Sequence, residues 1–158
     1  MGHRALLARE RAGGRYDVYY SHWGGADLSL ARDVGTDPRT HPQVDPDPIA
    51  TAVAWDEVLS VHLDPVVHEA LFVLGGDGDV AAYRPVPPES LGGPAVAVAV
   101  DPADPLDDAH ARGWFAGARE TLGTAIEAGD LEATAARTAY QTAVGGRFGD
   151  REVTWLDR

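Results

Sequence analysis

His3, His22, His68 and Glu69 are the residues of this chain whose types could do chemistry together. A neutral imidazole is a natural ligand for a divalent metal, and a carboxylate beside it can act as general base toward a bound water. Three imidazoles with Glu69 as base would make a small metal-dependent hydrolase, with His68 a second candidate for the base. Whether His3 and His22 meet depends on the turn between them. If a four-residue loop, Arg11 to Gly14, joins the flanking segments, Glu10 pairs with Arg15 and His3 with His22. Their Cβ atoms would then lie roughly 5 Å apart, close enough to share a metal or a phosphate. If the loop is only Gly13-Gly14, His3 slips to face Gly24 and the pair is lost. The plainer reading leaves these histidines isolated and structural, and takes His41 and His62 as surface residues.

A second concentration of function-bearing side chains runs from Tyr19 to Gly25, with Tyr20, His22 and Trp23 as candidate ligand-binding residues. It joins phenols, an imidazole, an indole and a hydroxyl to two glycines that let a ligand approach the backbone. Against this stands the ordinary fate of strand aromatics, which is to pack in a core. Asp77-Gly78-Asp79 lacks the further oxygen ligands of a calcium loop and reads as a hairpin turn.

Other chemistries are absent from the pattern. Gly75-Gly76-Asp77-Gly78 is followed by Asp79 where a phosphate-binding loop needs Lys. There is no paired-histidine metalloprotease helix and no nucleophile elbow. The chain has no Cys, which excludes disulfides, thiolate metal sites and cysteine catalysis.

The elements that must position these residues are those of an α+β fold. Arg4–Glu10 and Arg15–Trp23 flank Gly13-Gly14 and predict a β-hairpin. A short helix or turn is expected in 26–34, then an exposed acidic, proline-rich loop over 36–48. Segment 49–58 is ambiguous, with a helical turn at Asp56–Leu59. The runs 68–74 and 80–86 predict a second hairpin across a Gly/Asp turn, ended by Pro85, Pro87 and Pro88. Ala95–Val100 alternates Ala and Val as a buried strand does.

The period then changes. Ala111, Trp114, Phe115, Ala118, Leu122, Ala125 and Ile126 stripe a helix capped at Asp107 or Asp108 and ended by Gly129. A second helix is expected from Asp130 to Val144, stopped by Gly145-Gly146, with a last strand in 151–156. The expected whole is a single domain over 1–158: an antiparallel sheet of two hairpins and further strands, with a helical hairpin (106–144) packed on one face.

The composition fixes the solvent more firmly than the chemistry. All 13 basic residues are Arg, there is no Lys and no Asn, and the formal net charge is -12 with a pI near 4.7. A GC-rich genome would also deplete Lys and Asn. A charge so far from zero opposes compaction in dilute buffer, whereas at molar salt the Debye length falls to roughly 3 Å and the repulsion is screened. The excess of Asp over Glu points the same way, to a halophilic protein. The acidic balance argues against nucleic-acid binding. No apolar run reaches the ~18 residues of a membrane span. The opening residues lack a signal-peptide core, and Leu6 stands where a myristoylation signal needs Ser or Thr. A cytoplasmic location is expected.

Gly2-His3-Arg4-Ala5-Leu6-Leu7-Ala8 and Gly14-Arg15-Tyr16-Asp17-Val18-Tyr19-Tyr20-Ser21-His22-Trp23-Gly24-Gly25-Ala26 resemble the opening of an uncharacterised haloarchaeal family, a domain of unknown function. Leu63-Asp64, His68-Glu69-Ala70 and Ala82-Tyr83-Arg84 are similar to it as well, so the resemblance covers about the first 90 residues. It implies haloarchaeal origin and a cytoplasmic location, and no activity. The reading that results is a small binding or regulatory module whose ligand or protein partner meets the surface near His3, Tyr20, His22 and Trp23. The alternatives are the metal-dependent hydrolase and a homo-oligomer subunit joined through the helical hairpin, whose Ala and Gly positions allow close helix approach.

Overall fold

Strands β1 (Ala5–Arg11) and β2 (Arg15–Ser21) alternate their side chains between two apolar surfaces rather than between core and water. Ala5, Leu7 and Tyr19 face one layer, and Leu6, Ala8 and Val18 face the other. Such a hairpin must lie inside a sheet covered on both faces. In a computed structural model, which describes residues 2–157, it does. β3 (Ala50–Val53), β4 (Ala70–Leu74), β5 (Val80–Val86), β6 (Ala95–Val100) and β7 (Val153–Leu156) complete a seven-stranded sheet in the order β3-β2-β1-β4-β5-β6-β7. All neighbours are antiparallel except β1 and β4, which run parallel with Ala5 opposite Ala70.

The turn between β1 and β2 holds three residues, Ala12, Gly13 and Gly14, so Arg11 pairs with Arg15 and Ala5 with Ser21. Neither register considered from the sequence is correct. Both glycines have left-handed backbone, φ +83 and +70, and accommodate the odd-numbered loop at little cost.

One face carries α3 (Pro105–Glu127) and α4 (Ala133–Phe148), with the short α1 (Ser29–Asp33) beside them. Phe115, Tyr140, Val144 and Phe148 pack on Phe72, Ala82, Val96 and Val98 there. α3 starts earlier than expected. Asp104 caps it by accepting from the Leu106 amide, and Pro105 takes the first helical position, where its missing N–H costs nothing. Gly129, at φ +77, ends it as anticipated.

α4 departs further from expectation. Its N-cap is Glu132, and it runs through Gly145-Gly146 to Phe148. Each glycine costs about 1 kcal/mol in a helix. The reason the helix continues is Phe148, buried and stacked on Phe115 at 5.0 Å between ring centroids and edge-on to Trp114 at 5.2 Å. Burying such a ring contributes more than two glycines cost.

The opposite face is covered by a segment the sequence left ambiguous. β3 leads into α2 (Trp55–Glu57), which widens into a π-helical turn over Val58–His62. Val58, Leu59 and Leu63 seal Leu6, Leu71 and Tyr83 beneath it. His62, taken as a surface residue, is half-buried, with Nε2 shielded, 3.8 Å from Glu57 Oε1 and without a hydrogen bond among the described residues. His41 is half-buried too, its Nδ1 accepting from the Gln43 amide. The 36–48 loop is also less exposed than its composition suggests: Pro38 and Val44 are buried in it. Asp77-Gly78-Asp79 is the hairpin turn it reads as, with Asp77 Oδ1 accepting from the Asp79 amide. β5 covers the run expected of it, Val80–Val86, with Pro85 inside the strand and Pro87 just beyond its end.

Candidate functional site

Parallel pairing of β1 with β4 has one consequence for chemistry. It brings the starts of those strands to the same end of the sheet as the ends of β2 and β5. His3, the Tyr20–Gly25 segment, His68-Glu69 and Arg84 to Pro87 therefore gather along one rim, overhung by the first half of α3.

Arg84 fixes this rim. It lies on the helix-facing side of β5, and its side chain is 4% exposed. Nε and Nη2 donate to Asp108 Oδ1 and Oδ2 on α3, each at 2.7 Å. Nη1 donates to the carbonyls of Gly25 and Glu69, both at 2.8 Å. One guanidinium thus ties the loop after β2, the entry to β4, and α3 together. A buried charge is tolerated only when paired and hydrogen-bonded in this way. The backbone follows suit, with Gly25 N–H donating to His3 O and Glu69 N–H to Arg4 O, both 2.7 Å.

On this frame sit the residues selected from the sequence. His3 Nδ1 lies 3.0 Å from Glu69 Oε2. A carboxylate only accepts, so Nδ1 is the donor in this contact. His22 Nδ1 lies 3.0 Å from the Tyr20 hydroxyl, and its ring meets Trp23 edge-on at 4.8 Å. Trp23 is 53% exposed and tilts toward His3 at 6.3 Å. The five side chains form a continuous polar-aromatic surface. His22 and Trp23 are exposed, whereas Tyr20 is half-buried and packs against the core on the face opposite α3.

The metal set drawn from the sequence is not assembled. Among the described residues no group of three or more His, Asp or Glu side chains is placed to hold a metal ion. The three-residue turn carries His3 past His22, Glu69 takes His3, and His68 Nδ1 accepts from the Asp64 amide at 2.9 Å. His68 is thereby held in a loop hydrogen bond, with its proton on Nε2. Of the catalytic candidates, Glu69 is positioned on His3 and lines a cleft, as does His68.

That cleft was not foreseen. It measures about 610 Å³ and opens between the 65–69 and 84–89 segments and α3, within the range of small-ligand sites. Val86, Pro87 and Phe115 wall it, and Arg112 and Arg119 border it from α3. Arg119 donates to the Phe115 and Pro87 carbonyls and to Glu89 Oε1, the last two at 3.0 Å. Glu89 is held with φ +51, a left-handed conformation that costs a non-glycine residue roughly 1–2 kcal/mol. Strain of this kind persists where surrounding structure enforces it, and it concentrates at functional surfaces. The sequence did carry one signal: Arg84 interrupts an apolar strand, at a position that must face the helices.

A family model matches residues 1–39 and 35–155, and its description is a family of unknown function (DUF6735). The match continues through the helical third, beyond the hairpin segments that carry the resemblance in the sequence. No curated protein matches the chain, and no solved structure does.

Proposed function

Since the chain belongs to that family of unknown function, its role must come from its own surface, and we propose that it is a small ligand-binding module. The site is the rim formed by His3, Tyr20, His22 and Trp23 together with the adjoining cleft. The observation that carries this reading is the shared Glu69. Its carboxylate holds His3 in the aromatic cluster, and the same residue lines the cleft. Exposed indole and imidazole rings beside a preformed cleft are the usual parts of a recognition surface. The acidic, lysine-free composition supports a salty cytoplasm as the setting, and no helix among the described residues is long and apolar enough to cross a membrane.

A fragment screen read by amide chemical shifts tests the proposal. Binders should perturb His22, Trp23, Glu69 and Val86 together, and His22→Ala should weaken the hits without changing the melting temperature. Hits scattered over the surface, or hits indifferent to His22→Ala, reject it.

A further inference from the structure

The charges around the cleft are not equivalent, and their pairing points to the chemistry of the ligand. Arg84 is spent on Asp108 and two carbonyls. Arg119 is held by Glu89 and two carbonyls. Glu69 is engaged by His3. Arg112 is different. Among the described residues no carboxylate lies within ion-pair distance of it, and its single hydrogen bond is a long one, 3.5 Å to the Ala26 carbonyl. Arg4, Arg15, Arg137 and Arg147 also lack a carboxylate partner among the described residues, but of these arginines Arg112 is the one that borders the cleft.

Its placement suits capture of an oxyanion. Arg112 and Arg119 lie seven residues apart on α3, two turns or roughly 10 Å, on the face that borders the cleft. Arg119 Nη2 donates to nothing among the described residues. Beside Arg112 and Arg119 the wall includes the apolar side chains of Val86, Pro87 and Phe115. A planar guanidinium with open donors matches carboxylate or phosphate oxygens geometrically. Elsewhere the acidic surface repels such ligands.

Resting on the reading of the cleft as a binding site, we infer that it takes a small molecule with an apolar body and one oxyanion, a carboxylate or a phosphate, seated on Arg112. The apolar wall matters where salt is high, because chloride competes for an exposed charge but not for a hydrophobic surface.

The test uses the full chain and three probes: benzoate, phenyl phosphate and uncharged benzyl alcohol, titrated while amide shifts of Glu69, Val86 and Arg112 are followed. At least one anionic probe should bind there more tightly than benzyl alcohol, and which one does so separates carboxylate from phosphate. Arg112→Gln should weaken that probe about tenfold, the loss of one charge-assisted hydrogen-bonding group. Arg11→Gln, at the far end of β1, should leave it unchanged. Equal binding of all three probes, or indifference to Arg112→Gln, overturns the oxyanion assignment while leaving the cleft a binding site. Failure of every probe to perturb these residues removes both.

Discussion

Arg84 and Asp108 meet end to end beneath α3, with both guanidinium–carboxylate contacts at 2.7 Å and both side chains nearly excluded from water. The pair joins a strand to a helix, and it holds the loop that carries Trp23 to the strand entry that carries Glu69.

Breaking that pair from one side leaves a buried charge without a partner. Asp108→Asn or Arg84→Met should cost about 3–5 kcal/mol in denaturant unfolding. Arg84→Met also abandons the Gly25 and Glu69 carbonyls, so it should be the worse of the two. The double variant Arg84→Met/Asp108→Leu should recover part of the loss. Full additivity of the two single effects would mean that the groups do not act as a pair.

Two glycines at the rim should respond oppositely to alanine. At Gly25 a Cβ would come within 2.6 Å of the Arg4 carbonyl oxygen, which is backbone and cannot turn aside. Gly25→Ala should cost about 1–3 kcal/mol. At Gly2 the obstacle is the His22 ring, the end of an exposed side chain that can swing away. Gly2→Ala should leave the melting temperature nearly unchanged while lifting His22 off Trp23, which histidine ring-proton shifts would reveal.

Acid should loosen the junction of α3 with β7. Arg151 donates to both oxygens of Asp107, at 2.9 and 3.0 Å, and this holds the Asp107 carboxyl below its ordinary value of 3.8. A folded-state pKa below the unfolded one stabilises at pH above the unfolded value, and that contribution is lost as pH falls through the folded value. Asp107→Asn should therefore destabilise at pH 6 by on the order of 1 kcal/mol, given partial solvent exposure. The gap from the parent should narrow progressively as the pH falls below 3.8. A gap of constant size down to pH 2 would contradict this.

Salt should act in the opposite sense to its effect on isolated ion pairs. With net charge -12, raising KCl from dilute to molar should raise the melting temperature, because screening relieves repulsion among carboxylates faster than it weakens the pairs. A melting curve indifferent to salt would remove the halophilic reading.

The parts of this fold written in local periodicity were legible. The Ala-Val alternation of β6 and the stripe from Ala111 to Ile126 each specify an element and its buried face. What escaped was set by partners distant in sequence. Gly145-Gly146 looks like a helix stop until Phe148 is seen stacked on Phe115. The register of the first hairpin turns on one loop residue, and the parallel pairing of β1 with β4 leaves no local trace. The candidate site divides likewise. Tyr20, His22, Trp23 and Glu69 stand out by type, whereas the cleft lies between strand and helix segments that are distant in sequence and tied together by Arg84 and Asp108.

The middle of the sheet has a kinetic corollary. β1 is flanked by β2, which follows within a three-residue turn, and by β4, whose Ala70 must return to lie opposite Ala5. The hairpin can form as soon as it is made. Its other edge, bearing Ala5 to Arg9, then waits with open backbone groups until the chain has extended past Leu74. Closing so long a loop is slow compared with hairpin formation, and an unpaired apolar edge is a template for strands of other chains. The nascent protein is therefore most exposed to aggregation between the synthesis of β2 and that of β4, and the intervening acidic, proline-rich loop keeps that interval highly charged and poor in competing strands.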